Sequence, residues 1–466
     1  MCGILISLDN SEKRIMSISH RGTEHLTIES NGVYLTHHRL PIQTYDGDSW
    51  QQPIEIQENV YLLFNGEIFN YDTSLYSSDT EYLVDLFRGW RGDNIQLFTA
   101  NFLPHILTWD GFWSIAIIDT NTKDIIAFTD PLGKKQLYRN KQGELSSEIK
   151  GVRTADSKLN QHFISTVLKF GYNTDSNTTW ENVERLKPNT IYHWNLAAAD
   201  FVTTFSKYYN FNHPISDLAG SDYEAHMEWL WTAMFRSVSR RALVSKYPTS
   251  LLVSGGLDSA IIAGIMHHQN INSQWFSIEN GETEYVKLLA EKFDANPFYL
   301  TYSMEDDHRF IYDKWNESPI DLGSVIPQFY LFDAIKKNSN FRVVISGDGS
   351  DELFGGYRRI DEYDSQSSDI FDELSYYHLP RLDKMSMAHT IELRNPFLDH
   401  EIIRFALNLP FEWRKNKKIL KDTFGPILPA EIVERKKEAL KNPQIKQDAI
   451  QYRYKVVGDF IDHRDI

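Results

Sequence analysis

Three apolar runs in the second half of the chain each lead into turn residues, and this pattern constrains the fold more than any other feature. The runs are TSLLVSGG, NSQWFSIE and FRVVISGDG, and helical stretches separate them. Buried strands that alternate with helices are typical of a parallel α/β sheet covered by helices. Because ligands of such sheets bind beyond the carboxyl ends of the strands, the glycine-rich turns are candidate binding sites.

The first half has a different pattern, in which short β-rich runs are separated by turn residues. The runs are GILISL, GVYLTHHRL, NVYLLFNGEIF, GFWSIAIID and DIIAFTD. They predict a sheet-rich domain. Ser78 followed by Glu81 predicts a capped helix that covers a sheet, and Ser221 followed by Glu224 predicts the start of another helix.

A stretch near residues 208–222 separates the two patterns. It contains Pro, Gly, Asn and Ser without hydrophobic periodicity, which is typical of a linker. A chain of 466 residues also exceeds what one hydrophobic core normally organises. We therefore predict two domains, residues 2–207 and 221–466.

The charge balance and the single cysteine exclude several classes of protein. There are 64 acidic and 48 basic residues, a net charge of −16, which argues against a surface for nucleic acid or anionic membranes. One cysteine cannot form an internal disulfide, and this favours a reducing compartment. No apolar run has the length of a membrane span, and the start lacks the features of a signal peptide. We expect a soluble, cytoplasmic protein without nucleic-acid or membrane partners.

The position of Cys2 suggests chemistry. If the initiator methionine is removed, this residue carries both a thiol and an α-amino group with a pKa of about 7.7 to 8.0, which can act as the general base. Such a thiol can attack a side-chain amide, as in glutamine, form a thioester and release ammonia. Asn65 and Gly66, in FNGEIFNY, offer an amide and a backbone N–H for the oxyanion that forms.

Free glutamine also has an α-carboxylate and an α-ammonium group, which require a cation and anions. Arg39, Glu67 and Asp79 can supply these charges. Each residue also has a structural alternative: a cysteine near the terminus can be incidental, NGE can be a simple turn, and Asp79 can assist the Ser78 cap. Their joint order favours the catalytic interpretation.

Six segments of the first half resemble the glutaminase domain of class II glutamine amidotransferases: MCGI, HRGTEH, LTHHRLPI, FNGEIFNY, SDTEYLV and FTDPLGKKQLY. The resemblance implies an α+β fold, the N-terminal-nucleophile αββα sandwich. It also implies Cys2 as the nucleophile and Asn65 and Gly66 as oxyanion donors. The residues that it implies for glutamine binding are Arg39, Asn65, Gly66, Glu67 and Asp79. Thr23 and His38 depart from the family pattern, but neither change removes a required chemical group.

The segment LLVSGGLDSAII places a glycine-rich turn between an apolar strand and an apolar helix, where backbone N–H groups can hold phosphate oxygens. The residues suited to this role are Ser254, Gly255, Gly256 and Ser259. Asp258 beside phosphates requires a cation, and Mg²⁺ commonly links carboxylates to phosphates. The motif therefore suggests ATP with Mg²⁺. No lysine follows the glycines, so a standard P-loop is not supported.

VVISGDGSDELFGGY repeats the same arrangement and adds Asp351 as a second candidate metal ligand. Asp348 and Glu352 can be merely solvated or capping. SGGLDS resembles the pyrophosphate loop of ATP pyrophosphatases, and SGDGSDELFGGY with MSMAHTIELRNPFLD resembles the synthetase domain of asparagine synthetases. The resemblance implies a parallel sheet of ATP-pyrophosphatase type, an acyl-adenylate that ammonia attacks, and phosphate contacts from Ser346, Gly347 and Lys437.

Two departures concern the acceptor. Asp348, a candidate for positioning ammonia, stands where many asparagine synthetases have the longer Glu, and the chain ends soon after Lys437. Arg394 and Asp399 lie in the family signature, where domain packing and catalysis are equally open. We expect aspartate as the acceptor; the alternatives are another carboxylate, such as a sugar uronate, or a noncatalytic glutamine or nucleotide sensor. The resemblance also implies a homodimer.

Overall fold

The structure is a computed structural model, and it describes residues 2–47, 50–90, 94–302, 309–319, 324–356, 372–435 and 457–458. The strands of the first half are β1 Gly3–Ser7, β2 Glu24–Ser30, β3 Val33–Arg39, β4 Ile54–Gln57, β5 Val60–Ile68, β6 Gly111–Asp119, β7 Asp124–Thr129, β8 Tyr138–Asn140, β9 Leu145–Ser146, β10 Val183–Arg185, β11 Thr190–Asn195 and β12 Val202–Ser206. Its helices are α1 Glu12–Ser17, α2 Asp79–Phe87, α3 Ile95–Ile106, α4 Ile149–Val152 and α5 Gln161–Phe170.

These strands form two antiparallel six-stranded sheets, with the orders β10-β8-β9-β1-β3-β2 and β12-β11-β7-β6-β5-β4. Successive side chains of a strand point to opposite faces, so a strand that is buried on both faces, such as β5, contributes to two layers. In β5, Leu63 packs against Ile4 and Ile6 of the other sheet, whereas Leu62 and Phe64 pack against helices α2 and α3. Alternating apolar residues on both faces thus produce the predicted αββα sandwich.

The second half contains the strands β13 Thr249–Leu252, β14 Gln274–Ile278, β15 Phe298–Leu300, β16 Val343–Ile345 and β17 Glu392–Arg394. Its helices are α6 Tyr223–Leu243, α7 Leu257–His268, α8 Thr283–Phe293, α9 Val325–Asn338, α10 Ser350–Phe354, α11 Leu379–Met387, α12 His400–Asn408, α13 Phe411–Arg414, α14 Lys418–Phe424 and α15 Ala430–Glu434. The strands pair in parallel in the order β15-β14-β13-β16-β17. The predicted parallel α/β sheet is confirmed.

The first residues of the connection between the two halves are packed against the protein, and most of residues 212–222 are exposed. Tyr208 and Phe211 are buried, and the Tyr208 hydroxyl donates to the Thr129 carbonyl at 2.6 Å. The predicted Ser221 cap is wrong by one residue: Asp222 accepts from the Ala225 N–H at 3.0 Å and begins α6. A carboxylate also complements the positive end of the helix dipole, so aspartate is the better cap. The domain limits 2–207 and 221–466 remain predictions.

Buried ion pairs cross between the two halves. Asp383 accepts from Arg21 at 2.8 Å and from Lys135 at 2.5 Å, and Arg241 pairs with Asp110 at 2.8 Å. Buried charges are costly unless each has a partner, so these pairs favour one arrangement of the two halves. Within the part of the chain that the structure describes, no helix has both the length and the apolar character needed to cross a membrane.

Candidate active sites

One cleft of the first half brings together most of the residues predicted for amide chemistry. Together with the open space at its mouth it measures about 400 Å³, and its lining includes Cys2, Arg39, Gly66, Glu67 and Asp79. Strand β1 lies beside β3, β5 belongs to the facing sheet, and α2 begins at Asp79. The sandwich therefore gathers residues that are up to 77 positions apart at one edge, counting from Cys2 to Asp79.

The side chain of Asn65 holds the backbone nitrogen of Cys2 by a hydrogen bond. The Cys2 N–H donates to the Asn65 side-chain oxygen at 2.8 Å, and the Asn65 amide nitrogen lies 3.4 Å from the Ser114 hydroxyl. This Cys2 nitrogen would become the α-amine after removal of Met1. A side chain would not fit at Gly66, because a Cβ there would lie 2.2 Å from the Phe112 carbonyl oxygen.

Two acidic side chains form the opposite wall of this cleft. Glu67 accepts from the Gln43 amide at 2.6 Å, and Asp79 accepts from the Ile68 N–H at 3.1 Å. Burial raises the pKa of Glu67 well above its ordinary value and raises the pKa of Asp79 to about 7, and the negative charge of Glu392 adds to both effects. A cation that approaches either carboxyl group therefore favours its ionised form.

Gln43 is a member of the site that the sequence did not reveal. Its amide oxygen accepts from the Tyr71 hydroxyl at 2.8 Å and from the Asp79 N–H at 3.3 Å, while its nitrogen donates to Glu67. The side chain thus links the two acids. Arg39 pairs with Glu24 at 3.0 Å and donates to Thr44, which places the predicted cation in the same cleft.

A second site lies in the loop between β13 and α7. Gly255 has a left-handed backbone (φ +73°), and a Cβ at this position would lie 2.9 Å from that of Tyr285. The Ser259 hydroxyl accepts from the Ser254 N–H at 3.2 Å and donates to the Gly256 carbonyl at 3.1 Å. These bonds close the loop over the start of a twelve-residue helix, where free N–H groups attract anions.

The loop after β16 lies against this one, because β13 and β16 are parallel neighbours. A Cβ at Gly347 would lie 2.9 Å from the Cβ of Asp258, and the Ser350 hydroxyl donates to Asp258 at 2.7 Å. Ser346 donates to Asp348 at 2.6 Å, which holds that carboxylate within its own loop. The two glycine-rich loops therefore form one surface at the carboxyl end of the sheet.

Asp258 and Asp351, both predicted as metal ligands, converge on one point, and the ammonium of Lys417 lies there. Its Nζ is 2.6 Å from carboxylate oxygens of both residues. Burial alone lowers the pKa of a lysine, but these two carboxylates raise the pKa of Lys417 above its ordinary value. Two converging carboxylates are also a donor set that suits Mg²⁺. Lys437 lies outside the described residues.

Arg394 joins the two sites. Its guanidinium lies 3.3 Å from Glu67 and pairs with Glu392 at 2.5 Å, while its backbone carbonyl accepts from the Ser346 N–H at 3.0 Å. Asp399 pairs with Arg241 at 3.2 Å and caps α12. Both residues of the signature thus pack the junction between the two halves, and Arg394 contacts a residue of each site.

Two family models match nearly the whole chain. The glutamine amidotransferase domain matches residues 1–209, and the asparagine synthase model matches residues 232–378 and 363–459. Similar proteins include the glutamine-hydrolyzing asparagine synthetases of Cricetulus griseus (27% identical) and Homo sapiens (25%), in each case over 96% of this chain and 84% of the relative. The root enzyme of Pisum sativum is 26% identical over 94% of this chain and 77% of its own length.

An αββα amidotransferase domain joined to a parallel sheet of ATP-pyrophosphatase type defines a class, the ATP-dependent glutamine amidotransferases. Within that class, the chain belongs to the family of glutamine-hydrolysing asparagine synthetases.

Proposed function

We propose that the protein is a glutamine-hydrolysing asparagine synthetase. It takes ammonia from glutamine, adenylates the side-chain carboxylate of aspartate with ATP, and forms asparagine, glutamate, AMP and pyrophosphate. The observation that carries this proposal is the presence of both sites in one chain, with Arg394 in contact with Glu67 of the first and Ser346 of the second.

The first half-reaction takes place at Cys2. Its sulfur attacks the carboxamide carbon of glutamine, and the α-amine, held by Asn65, takes the thiol proton and passes it to the departing ammonia. Water then hydrolyses the thioester to glutamate. The Asn65 amide and the Gly66 N–H stabilise the oxyanion in both steps.

The remaining polar residues of the cleft select free glutamine. Arg39 pairs with its α-carboxylate, and Glu67 and Asp79 pair with its α-ammonium group. The support for this assignment is that all three side chains line the same cleft as Cys2. A cation with two nearby acids fits an amino acid with both α-groups free and would not fit a peptide-bound glutamine.

Glutamine binding is expected to weaken as the pH falls below about 7, because the Asp79 carboxyl then binds a proton and loses the charge that attracts the α-ammonium. Well below that pKa, the dissociation constant should rise about tenfold per pH unit. Calorimetry between about pH 5.5 and 8 in the Cys2→Ala background, which binds glutamine without hydrolysing it, measures this directly. The same variant with Asp79→Asn should bind more weakly and keep only the pH dependence that Glu67 contributes, because the pKa of Glu67 is raised as well. A dissociation constant that is constant over this range would contradict the role of Asp79.

The second half-reaction takes place at the paired loops. The carboxylate of aspartate attacks the α-phosphorus of ATP and pyrophosphate leaves; ammonia then attacks the acyl carbon and AMP leaves. The phosphate-binding residues in this proposal are Ser254, Gly255, Gly256, Ser259, Ser346, Gly347 and Lys437. Asp258 and Asp351 would hold Mg²⁺, which offsets the charge of the phosphates. Asp348 is the candidate to position ammonia and accept its proton.

Ammonia passes between the sites inside the protein in this proposal. Support comes from Arg394, which is fully buried and lies between Glu67 and Ser346, and from the buried ion pairs around it. An acyl-adenylate reacts usefully only if ammonia reaches it before water does. A cytoplasmic location and a homodimer remain predictions.

A panel of acceptors tests the proposed reaction. The protein is incubated with ATP, Mg²⁺ and glutamine together with aspartate, glutamate, a sugar uronate or no acid, and AMP and amide products are measured by mass spectrometry. We expect AMP and a new amide only with aspartate. If AMP forms with the uronate and not with aspartate, the acceptor is the uronate and the assignment of aspartate is wrong. The absence of both glutamate and AMP with every acid would favour a noncatalytic sensor.

A further inference from the structure

Lys417 occupies the point at which Asp258 and Asp351 converge. Its ammonium contacts both oxygens of Asp258 and one of Asp351, each at 2.6 Å, and its side chain is only 7% exposed. Two negative charges and one positive charge are therefore enclosed together. The lysine stands where a cation held by these two carboxylates would have to stand.

The surrounding backbone is shaped to hold this side chain. Asn416 and Lys417 both have left-handed backbone conformations, with φ of +53° and +59°. Asparagine tolerates this conformation, but it is unfavourable for a lysine, and strained residues of this kind concentrate at functional sites. Gly356 leaves the necessary space, because a Cβ there would lie 2.6 Å from the Asp351 carboxylate and 2.8 Å from Cε of Lys417.

The ammonium and a divalent cation cannot share this position. Mg²⁺ takes oxygen ligands, so an ion held by Asp258 and Asp351 would need the carboxylate oxygens that the ammonium now contacts at 2.6 Å. A lysine is a compact charge on a flexible stem, so it can withdraw from the carboxylates without a change in the fold.

We propose that Lys417 is an internal counter-ion, which fills the cation position between Asp258 and Asp351 in the nucleotide-free protein and is exchanged for the divalent cation that enters with the nucleotide. The inference rests on the proposed ATP chemistry. It gives the protein low affinity for free divalent cations. It also leaves the displaced ammonium beside the nucleotide phosphates, whose charge it complements.

Binding of Mn²⁺ alone, measured by electron paramagnetic resonance without nucleotide, tests the exchange. Lys417→Met should bind one Mn²⁺ per chain with a dissociation constant at least about tenfold lower than that of the unaltered protein, because its two carboxylates have lost their cation. Adding Asp258→Asn to this variant should remove the gained site. Lys418→Met is the matched control: its side chain is 50% exposed and pairs with Asp422, so Mn²⁺ binding should not change.

Thermal unfolding gives a second readout. Mg²⁺ without nucleotide should raise the Tm of Lys417→Met and leave the Tm of the unaltered protein nearly constant. If Lys417→Met does not fold, Lys417→Gln replaces it in both measurements, because glutamine can still donate a hydrogen bond to a carboxylate. Equal Mn²⁺ affinity in a folded lysine variant and the unaltered protein would overturn the proposal. Tight Mn²⁺ binding by the unaltered protein without nucleotide would also overturn the proposal, and this measurement does not depend on whether either variant folds. Because no turnover is involved, failure of the proposed synthetase reaction would be recognised separately.

Discussion

Cys2→Ala is expected to abolish asparagine formation from glutamine and to preserve its formation from added ammonium. The substitution removes only the sulfur that attacks the amide, and the two glycine-rich loops lie in the other half of the protein. Loss of an attacking nucleophile typically costs at least about a thousandfold in rate. Asparagine is measured with glutamine and with ammonium chloride as nitrogen donors.

Synthesis from ammonium is the internal control for this experiment, since it requires a folded second half and an intact ATP site. Equal loss with both donors would contradict the division of labour between the sites. Mass spectrometry of the purified protein should show a chain that begins at Cys2, because the proposed base is its α-amine. If a chain that retains Met1 hydrolyses glutamine, the α-amine of Cys2 is not the general base.

Asp258→Asn is expected to reduce synthesis with both nitrogen donors and to reduce AMP formation with them, by roughly a hundredfold or more if its carboxylate holds the metal that offsets the phosphate charges. The amide is isosteric and can still accept from Ser350, so the loop should keep its shape. Measurement of pyrophosphate release with saturating aspartate separates this effect from loss of glutamine hydrolysis.

Asp422→Asn is the matched control for the second variant. It makes the same chemical change in a surface pair with Lys418, in which both side chains are at least 40% exposed, and such pairs contribute little. Its pyrophosphate release should equal that of the unaltered protein. Unchanged ATP cleavage in Asp258→Asn would exclude that residue from the metal and phosphate site.

The local parts of the fold could be predicted from the sequence. Runs such as GILIS and TSLL carry enough apolar and β-branched residues to predict strands, and the glycines after TSLL predict a turn at the sheet edge. The αββα arrangement followed from the family resemblance, and the alternation of Leu62, Leu63 and Phe64 between two cores explains it. The cap of α6 was missed by one residue because Ser221 and Asp222 are both good capping residues.

Contacts between distant segments could not be predicted. Lys417 is 159 positions from Asp258, and it lies in a lysine-rich segment that resembles an ordinary solvated surface. Gln43 became part of the first site only through its bonds to Glu67 and Asp79. Arg394 stood in a recognised signature, but its contact with Glu67 depends on how the two halves pack. Each contact follows from tertiary packing, which no local pattern encodes.

The most direct measurement is the fate of nitrogen from amide-labelled ¹⁵N-glutamine, with aspartate, ATP, Mg²⁺ and an excess of unlabelled ammonium in solution. We predict one asparagine per AMP, with the ¹⁵N label in its side-chain amide at a fraction well above that of the mixed ammonia pool. Asparagine labelled only to the level of that pool would contradict internal transfer. AMP release without asparagine would contradict the proposed reaction itself.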